Sequence, residues 1–382
     1  MSSTERFRTH REKEFPWTAE TTYLNNASIG PIPERTRKRL DAFTALRTAP
    51  YQLPDTDLQQ ILRDARSTAA RLLNAHTSEI GLATNTSYGL NLAATALPIR
   101  KGDVVLLPDK EFPANVYPWL RLRDRGVAVE FAPSTPEGWP NEEYLLERVE
   151  DPRVRVLAIS FVQFSNGYRA SLDRLSAACR EHEVFLVVDA IQGLGQSPLD
   201  VRRTSIDILS TGGQKWLMSP WGAGFVYVRE ELLEVLEPVT CGWMAFQGTD
   251  DFTRLTDYDA TLRRDGRRFE MITLPFQDCL GMTESVSMLL ELGLDDIAAH
   301  TRSLKEPLLR LADAGRFRIS SPTSPEHESA IVCVVPRDLA GAFDRLKAAK
   351  VVCSMREGSI RLSPHFYNTV EEMERVAEIL AG

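Results

Sequence analysis

Residues 154–190 read VRVLAISFVQFSNGYRASLDRLSAACREHEVFLVVDA. Two nearly continuous apolar runs, at 154–162 and 184–190, stand on either side of a stretch with helical spacing. Such runs are typical of parallel strands that are buried on both faces, and a helix usually connects two of them. The stretch therefore predicts a β-α-β unit, and ligands bind such units at the carboxyl ends of the strands.

Further apolar runs lie on both sides of this unit, at 104–108, 128–132, 207–212 and 224–228. Helical patterns separate several of them, so we expect an α/β fold whose mainly parallel sheet is wrapped by helices. From about residue 300 the runs are shorter and alternate with helices, which indicates a compact α+β unit. We predict an N-terminal segment (1–30) near the active site, a large domain (31–280) and a small C-terminal domain (281–382).

The composition limits the classes of partner. The chain has 382 residues and a net charge of −8, and this charge is spread along the chain, which argues against nucleic acid or an anionic membrane as the main partner. No apolar run approaches the roughly 20 residues that span a bilayer, and the charged N-terminus is unlike a secretory signal. Five cysteines show no CxxC spacing, so we expect reduced thiols, no bound metal and a cytoplasmic location.

Lys215 stands out in the stretch STGGQKWLMSPWGAGF (210–225), because its neighbours are small or aromatic rather than polar. It follows a predicted strand, within a glycine-rich turn. An amine that is desolvated at such a position has a lowered pKa and can form a Schiff base with a carbonyl compound. For an isolated lysine, a stem packed past Trp216 is the commoner interpretation, so the neighbouring features have to distinguish the two.

Two other features complement this amine. Asp189 ends the apolar run at 184–190, where a carboxylate is costly unless it meets a positive partner such as a protonated pyridine nitrogen. Thr86 and Ser87 lead into a predicted helix, whose first N–H groups form an anion site. Ordinary capping explains either feature alone. Together the three provide an aldehyde acceptor, a ring-nitrogen partner and a phosphate site, which are the needs of pyridoxal 5′-phosphate (PLP).

Seven blocks of the chain, in order, are similar to a known family: YLNNASIGPIP, TNTSYGLN, EFPANVYPW, SFVQFSNGYRASL, VVDAIQGLGQ, GGQKWLMSPWGAGF and SIRLSPHFYNTVEEMERV. They resemble the class V aminotransferase family of fold-type I PLP-dependent enzymes, which are relatives of cysteine desulfurases, kynureninase and isopenicillin N epimerase-like proteins. The resemblance covers nearly the whole chain. It implies a large PLP-binding domain with a mainly parallel, seven-stranded sheet, a small C-terminal domain and a homodimer.

The resemblance also implies roles for individual residues. Lys215 and Asp189 are the implied catalytic residues, the first forming the Schiff base and the second pairing with the pyridine nitrogen. Phe112 is implied to stack on the ring, and it brings no acid–base group where desulfurases have a histidine. The other implied cofactor contacts are with the phenolic oxygen, from Asn166 and Gln192, and with the phosphate, from Thr86, Ser87 and Gln214.

Three more positions follow from the same resemblance. Arg361 matches the arginine that binds the α-carboxylate of the substrate through a bidentate fork. Asn26 is assigned to substrate binding. Thr273 resembles a threonine that reaches the cofactor phosphate of the partner subunit, so the resemblance implies that the active site needs a dimer.

The sequence favours transamination among the reactions of such enzymes. The cofactor set is complete, and no second nucleophile accompanies it: Cys353 lies within an apolar run, where a buried and inert thiol is expected. We therefore predict an aminotransferase that acts on an amino acid through Lys215. A PLP-dependent C–S or C–N β-lyase (selenocysteine lyase- or kynureninase-like), an amino-acid epimerase and a non-catalytic PLP-binding scaffold are the alternatives.

Overall fold

The structure is a computed structural model that describes residues 2–382. Its α-helices, numbered along the chain, are α1 (Ser3–Glu14), α2 (Glu34–Arg47), α3 (Asp55–Leu73), α4 (Thr86–Ala96), α5 (Tyr117–Leu120), α6 (Glu142–Arg148), α7 (Leu172–Glu181), α8 (Phe276–Leu292), α9 (Leu294–Ser303), α10 (Glu306–Asp313), α11 (Leu339–Ala348) and α12 (Val370–Ala381). Its strands are β1 (Thr22–Tyr23), β2 (Ile80–Ala83), β3 (Val104–Pro108), β4 (Ala128–Ala132), β5 (Val154–Ser160), β6 (Phe185–Asp189), β7 (Ile208–Gly212), β8 (Gly224–Val228), β9 (Phe317–Ile319), β10 (Val332–Pro336), β11 (Val351–Val352), β12 (Ser354–Arg356) and β13 (Ser359–Leu362).

The large sheet confirms the predicted mainly parallel fold. Its seven strands run in the order β2-β8-β7-β6-β5-β3-β4, and β8 alone runs in the direction opposite to the other six. Along β6, Leu186 and Val188 enter one apolar core while Val187 enters the other. Both faces of the sheet are therefore covered, which is why these strands read as continuous apolar runs.

Helices on the two faces complete this unit. On one side α3 packs against α8, and α8 against α2. On the other side α4 packs against β7, and Gly89 allows this approach, because a Cβ there would lie 2.3 Å from Ser210 Oγ. This contact brings the N-terminus of α4 to the carboxyl edge of the sheet.

The C-terminal residues form a second, antiparallel sheet with the strand order β12-β13-β10-β9. Its own apolar core includes Leu304, Met373 and Leu380, and it also takes in Leu24 from the N-terminal segment. The short strand β1 pairs with β11, so that the N-terminal segment is attached to this sheet. The division of the chain into domains at 280/281 stays a prediction, since α8 runs across that point. Over residues 2–382, no helix is both long enough and apolar enough to cross a membrane.

Candidate active site

The carboxyl ends of three adjacent strands meet at one edge of the large sheet. Ser160 at the end of β5 is level with Asp189, and Asp189 is level with Ser210 in β7. Lys215 follows β7 in the turn that starts at Gly212. The expected meeting of Asp189 and Lys215 at this edge thus results from strand register, because parallel strands end on the same side.

The N-terminal segment docks directly on the lysine turn. Gly30 N donates to Gln214 O over 2.8 Å, and a Cβ at Gly30 would lie 1.9 Å from Lys215 O. Only glycine permits this approach of two backbones. The contact holds the turn that carries Lys215 against a segment far away in sequence.

The Lys215 amine is placed in a poorly solvated environment. Burial lowers its pKa to about 8, Asp189 opposes this shift, and Arg361 and Arg356 reinforce it. The amine lies 5.5 Å from the centroid of the Phe112 ring. An amine in this state is deprotonated often enough near neutral pH to act as a nucleophile or as a base.

Asp189 is a buried carboxyl at the end of β6, with 2% of its surface exposed. Its Oδ1 accepts a hydrogen bond from Ile191 N over 3.1 Å. Burial raises its pKa to about 7, the nearby Glu111 adds to this rise, and Lys215 counteracts it. The arrangement suits a group that becomes ionised when a cation is brought against it.

The N-terminus of α4 has the properties of an anion site. Asn85 caps the helix by accepting from Tyr88 N over 3.0 Å, and Ser210 Oγ holds the helix end by donating to Thr86 O over 2.8 Å. Thr86 Oγ1 is buried and has no hydrogen-bond partner among residues 2–382. An orphaned hydroxyl beside free helix N–H groups fits a phosphate. With the amine and the buried carboxyl, it makes the residues present fit PLP.

Arg361 is a buried guanidinium, 2% exposed, that pairs with no carboxylate in the part of the chain that the structure describes. Nη1 donates to Phe164 O and Nη2 to Ser28 Oγ, both over 2.8 Å, while Nε is buried without a partner. Burial and the charge of Arg356 lower its pKa to about 10. Burying a cation without a counter-ion costs free energy, and an anionic ligand that binds to it offsets this cost.

Asn26 has hydrogen-bond partners within the protein, and its expected contact with the substrate stays a prediction. Its side chain is fully buried, Nδ2 donates to Ser363 O and to Tyr367 Oη, and Oδ1 accepts from Tyr367 Oη. Both polar atoms of Asn26 thus contact protein groups. Ser28, two residues later, contacts Arg361 instead, because the turn at 25–29 presents that hydroxyl to the site.

Asn166 also has local partners, and its expected contact with the cofactor stays a prediction. Its Oδ1 accepts from Tyr168 N over 2.9 Å and its Nδ2 donates to Gly138 O over 3.0 Å, so the amide closes a local turn. Phe164 takes the place facing the site. Its ring meets the Phe112 ring edge-on with centroids 5.1 Å apart. The two residues are two positions apart in the turn that follows β5, and no signal in the sequence separates them.

Gln192 is engaged on both sides of its amide. Nε2 donates to Ala27 O over 2.9 Å and Oε1 accepts from Trp216 Nε1 over 2.8 Å. The side chain therefore ties the N-terminal segment to the residue after Lys215. The contact with the phenolic oxygen that the sequence implies would use the second amide hydrogen, and it stays a prediction.

The other predicted positions lie on accessible surfaces. Phe112 is 40% exposed, as a ring that stacks on a ligand must be. Ser87 is exposed in the first turn of α4, and Gln214 is half-buried beside Gly212. Thr273 is exposed, and its contact with the cofactor of a partner subunit stays a prediction.

Glu111 is a site residue that the sequence prediction missed. Its buried carboxyl accepts from Ser160 N over 2.9 Å, from Asn115 Nδ2 over 3.2 Å, and from Ser160 Oγ and Gln163 Nε2. Burial raises its pKa. These bonds join the loop that carries Phe112 to the end of β5. The only indication of its role in the sequence was an acidic residue directly before Phe112.

Comparisons with known proteins identify the family of this chain. The family model Aminotransferase class-V matches residues 22–376. Isopenicillin N epimerase of Streptomyces clavuligerus is 29% identical over 372 residues, covering 94% of this chain and 93% of the epimerase. A probable cysteine desulfurase of Pyrococcus abyssi (strain GE5 / Orsay) is 26% identical over 390 residues, covering 96% of this chain and 95% of that protein.

Solved structures show the same fold. A mutant of C-DES with glycine covalently linked to its PLP cofactor has a TM-score of 0.87 at 22% identity, over 97% of this chain and 98% of that chain. The likeness agrees with the α/β fold described above. The chain belongs to the class V aminotransferase family, and its cofactor is pyridoxal 5′-phosphate.

Proposed function

We propose that this protein is an aminotransferase that acts on the α-amino group of an amino acid through Lys215. One observation carries the proposal. The Lys215 amine lies 5.5 Å from the Phe112 ring, Phe112 packs on Phe164, and the Phe164 carbonyl accepts from the unpaired guanidinium of Arg361. An α-amino acid with its amine toward Lys215 and its carboxylate toward Arg361 suits this pair of charges.

The proton transfers fall to Lys215. PLP, when bound, supplies the electron sink that makes the α-proton of an amino acid acidic. Lys215 has a lowered pKa, so its neutral amine can take that proton and return it to another atom. Phe112 stacks without a transferable proton. Asp189 would hold the ring nitrogen, and Thr86, Ser87 and the N-terminus of α4 would hold the phosphate.

The thiols near the site argue against a persulfide-forming reaction. Cys353 precedes Arg361 by eight positions, and burial raises its pKa to about 12. Cys333, opposite Arg361 in the small sheet, is fully buried, and its Sγ contacts Ser165 O at 3.2 Å. Neither supports a thiolate on a mobile loop. For this reason the similarity to probable cysteine desulfurases does not lead us to propose that activity.

The test is a screen of amino-acid donors with the PLP-loaded enzyme. Transamination converts the bound cofactor to its pyridoxamine form, releases one equivalent of the matching 2-oxo acid, and a second 2-oxo acid reverses the change. Release of alanine with the cleaved side-chain group, or of ammonia with the 2-oxo acid formed by elimination, would identify a β-lyase. Inversion at Cα without net product would identify an epimerase, the activity named for the Streptomyces relative. If no donor yields the pyridoxamine form, the proposal fails.

The carboxyl of Asp189 gives a pH-dependent prediction for the PLP-free protein. Its folded pKa of about 7 lies above its ordinary value of 3.8, so the folded state holds the proton more tightly. The stability that this proton confers is complete below pH 4 and is lost as the pH rises to about 7. Asp189→Asn cannot ionise, so its stability does not show this loss. We expect the change in the free energy of unfolding that the substitution causes to be more favourable at pH 8 than at pH 4, by on the order of 4 kcal/mol.

Denaturant unfolding of both proteins at pH 4, 6 and 8 measures this difference. Adding PLP at pH 8 should reverse the order, because a cationic ring nitrogen stabilises the carboxylate of the wild type and not the amide of the variant. Equal pH dependence of the two PLP-free proteins would contradict the assignment of Asp189.

A further inference from the structure

The hairpin of β12 and β13 presents a second arginine on the side that holds Arg361. Ser354 is opposite Arg361, and Arg356 is opposite Ser359. Residues opposite each other in an antiparallel pair share a face, and every second residue along a strand shares it too. These four side chains are therefore on one face, while Ile360 is on the other, in the core of the small sheet.

Arg356 is a cation without a counter-ion among the residues that the structure describes. It is exposed, and no carboxylate of residues 2–382 is within ion-pair distance of it; its Nη1 donates to the neighbouring Met355 O over 2.8 Å. Its charge reaches the site, because it contributes to lowering the pKa of both Lys215 and Arg361. Two arginines with no acidic partner thus lie on the face that meets the active site.

One α-carboxylate cannot satisfy both of them. Arg361 is bound by Phe164 O and Ser28 Oγ and is buried, which suits the fixed α-carboxylate common to all amino acids. Arg356 is at the exposed end of the hairpin, where Glu357 and Gly358 form the turn with positive φ. An exposed arginine there meets the variable end of a substrate, and its planar fork matches a carboxylate.

We propose that Arg356 binds a second carboxylate at the end of the substrate side chain, so that the substrate is an amino acid with an acidic side chain. This inference rests on the proposed function, since it assumes that an amino acid occupies the site between Lys215 and Arg361. It makes Arg356 a specificity residue and leaves the proton transfers to Lys215.

The experiment measures binding rather than turnover. Isothermal titration calorimetry of the PLP-loaded enzyme compares glutarate with pentanoate and succinate with butanoate. These acids lack an amine, so their binding requires no reaction at Lys215. We expect at least one diacid to bind about tenfold more tightly than its matched monoacid, the effect of one charge-assisted bidentate contact. Arg356→Gln should abolish this difference by weakening the diacid alone.

Arg318→Gln is the matched control. Arg318 is an exposed residue in β9, the opposite edge strand of the same sheet, and its pairing with Val335 puts it on the same face as Arg361. This variant removes the same charge at a distance from the site. We expect it to leave the affinity of diacids and monoacids unchanged.

Three results would overturn the inference: equal affinity of diacid and monoacid in the wild type, unchanged discrimination in Arg356→Gln, or the same loss in Arg318→Gln. The first two results are expected if Arg356 forms an ion pair with a second copy of the chain instead of binding the substrate. The failure of transamination is a separate outcome, since diacid discrimination can persist in an enzyme that catalyses another reaction. Transamination of neutral amino acids without diacid discrimination would remove this inference alone.

Discussion

Lys215→Ala should lower kcat/KM for every amino-acid donor by about 10⁴-fold or more, because it removes both the nucleophile and the base. Lys215→Arg should lose as much, since a guanidinium keeps the positive charge and does not release a proton at neutral pH. Steady-state kinetics measure the loss. Mass spectrometry after borohydride treatment should find PLP attached to the peptide containing residue 215 in the wild type only.

Stability separates this effect from misfolding. The Lys215 amine is held with a lowered pKa, which means that burial penalises its charged form, so removing it should not lower the free energy of unfolding. Lys305→Ala is the matched control: Lys305 is a buried lysine whose amine pairs with Glu328 and donates to Ser329 O. We expect the Lys305→Ala variant to be less stable than the wild type and to keep near-normal turnover per folded molecule. Retained turnover in Lys215→Ala would contradict the central role of this amine.

Arg361→Gln should raise KM for amino-acid donors by about 10²-fold, with a smaller change in kcat. Bidentate, charge-assisted bonds to a partly desolvated carboxylate are worth about 3 kcal/mol. The variant should fold at least as stably as the wild type, because no carboxylate of the described chain depends on this guanidinium and its desolvation cost is removed. Arg361→Lys should recover little, since it keeps the charge and loses the fork.

Amino-acid amides provide the control for this prediction. They carry no α-carboxylate, so their reaction with the enzyme should be equally slow in the wild type and in Arg361→Gln. PLP affinity should also stay unchanged, measured by fluorescence titration of the PLP-free protein. If the variant lost activity toward amides and acids alike, Arg361 would have a structural role instead.

The strands and the reactive residues could be predicted because their signals are local. The runs at 104–108 and 184–190 contain strands β3 and β6, since a strand buried on both faces has to be apolar throughout. Asp189 is the last residue of such a strand, and Lys215 follows another by three positions. Their position at the carboxyl edge then follows from the parallel arrangement.

The sequence does not determine the direction of side chains that depend on distant partners. Asn26 and Ser28 are two residues apart in one turn, and the pairing of Asn25 with Ser363 selects which of them meets Arg361. Asn166 donates to Gly138 O and accepts from Tyr168 N. In each case a polar residue had several possible partners, and only packing between segments far apart in sequence selected one.

The sequence by itself determined the class of fold, the strand ends that carry Lys215 and Asp189, and the helix N-terminus at Thr86, because apolar period and capping are properties of short segments. Only the tertiary structure decided that Arg361 has no counter-ion, that Glu111 supports Phe112, and that Arg356 shares a face with Arg361. These facts depend on the register of β12 against β13 and on the docking of the N-terminal segment. Register and docking are set by the free energy of the whole packed chain, which no short segment contains.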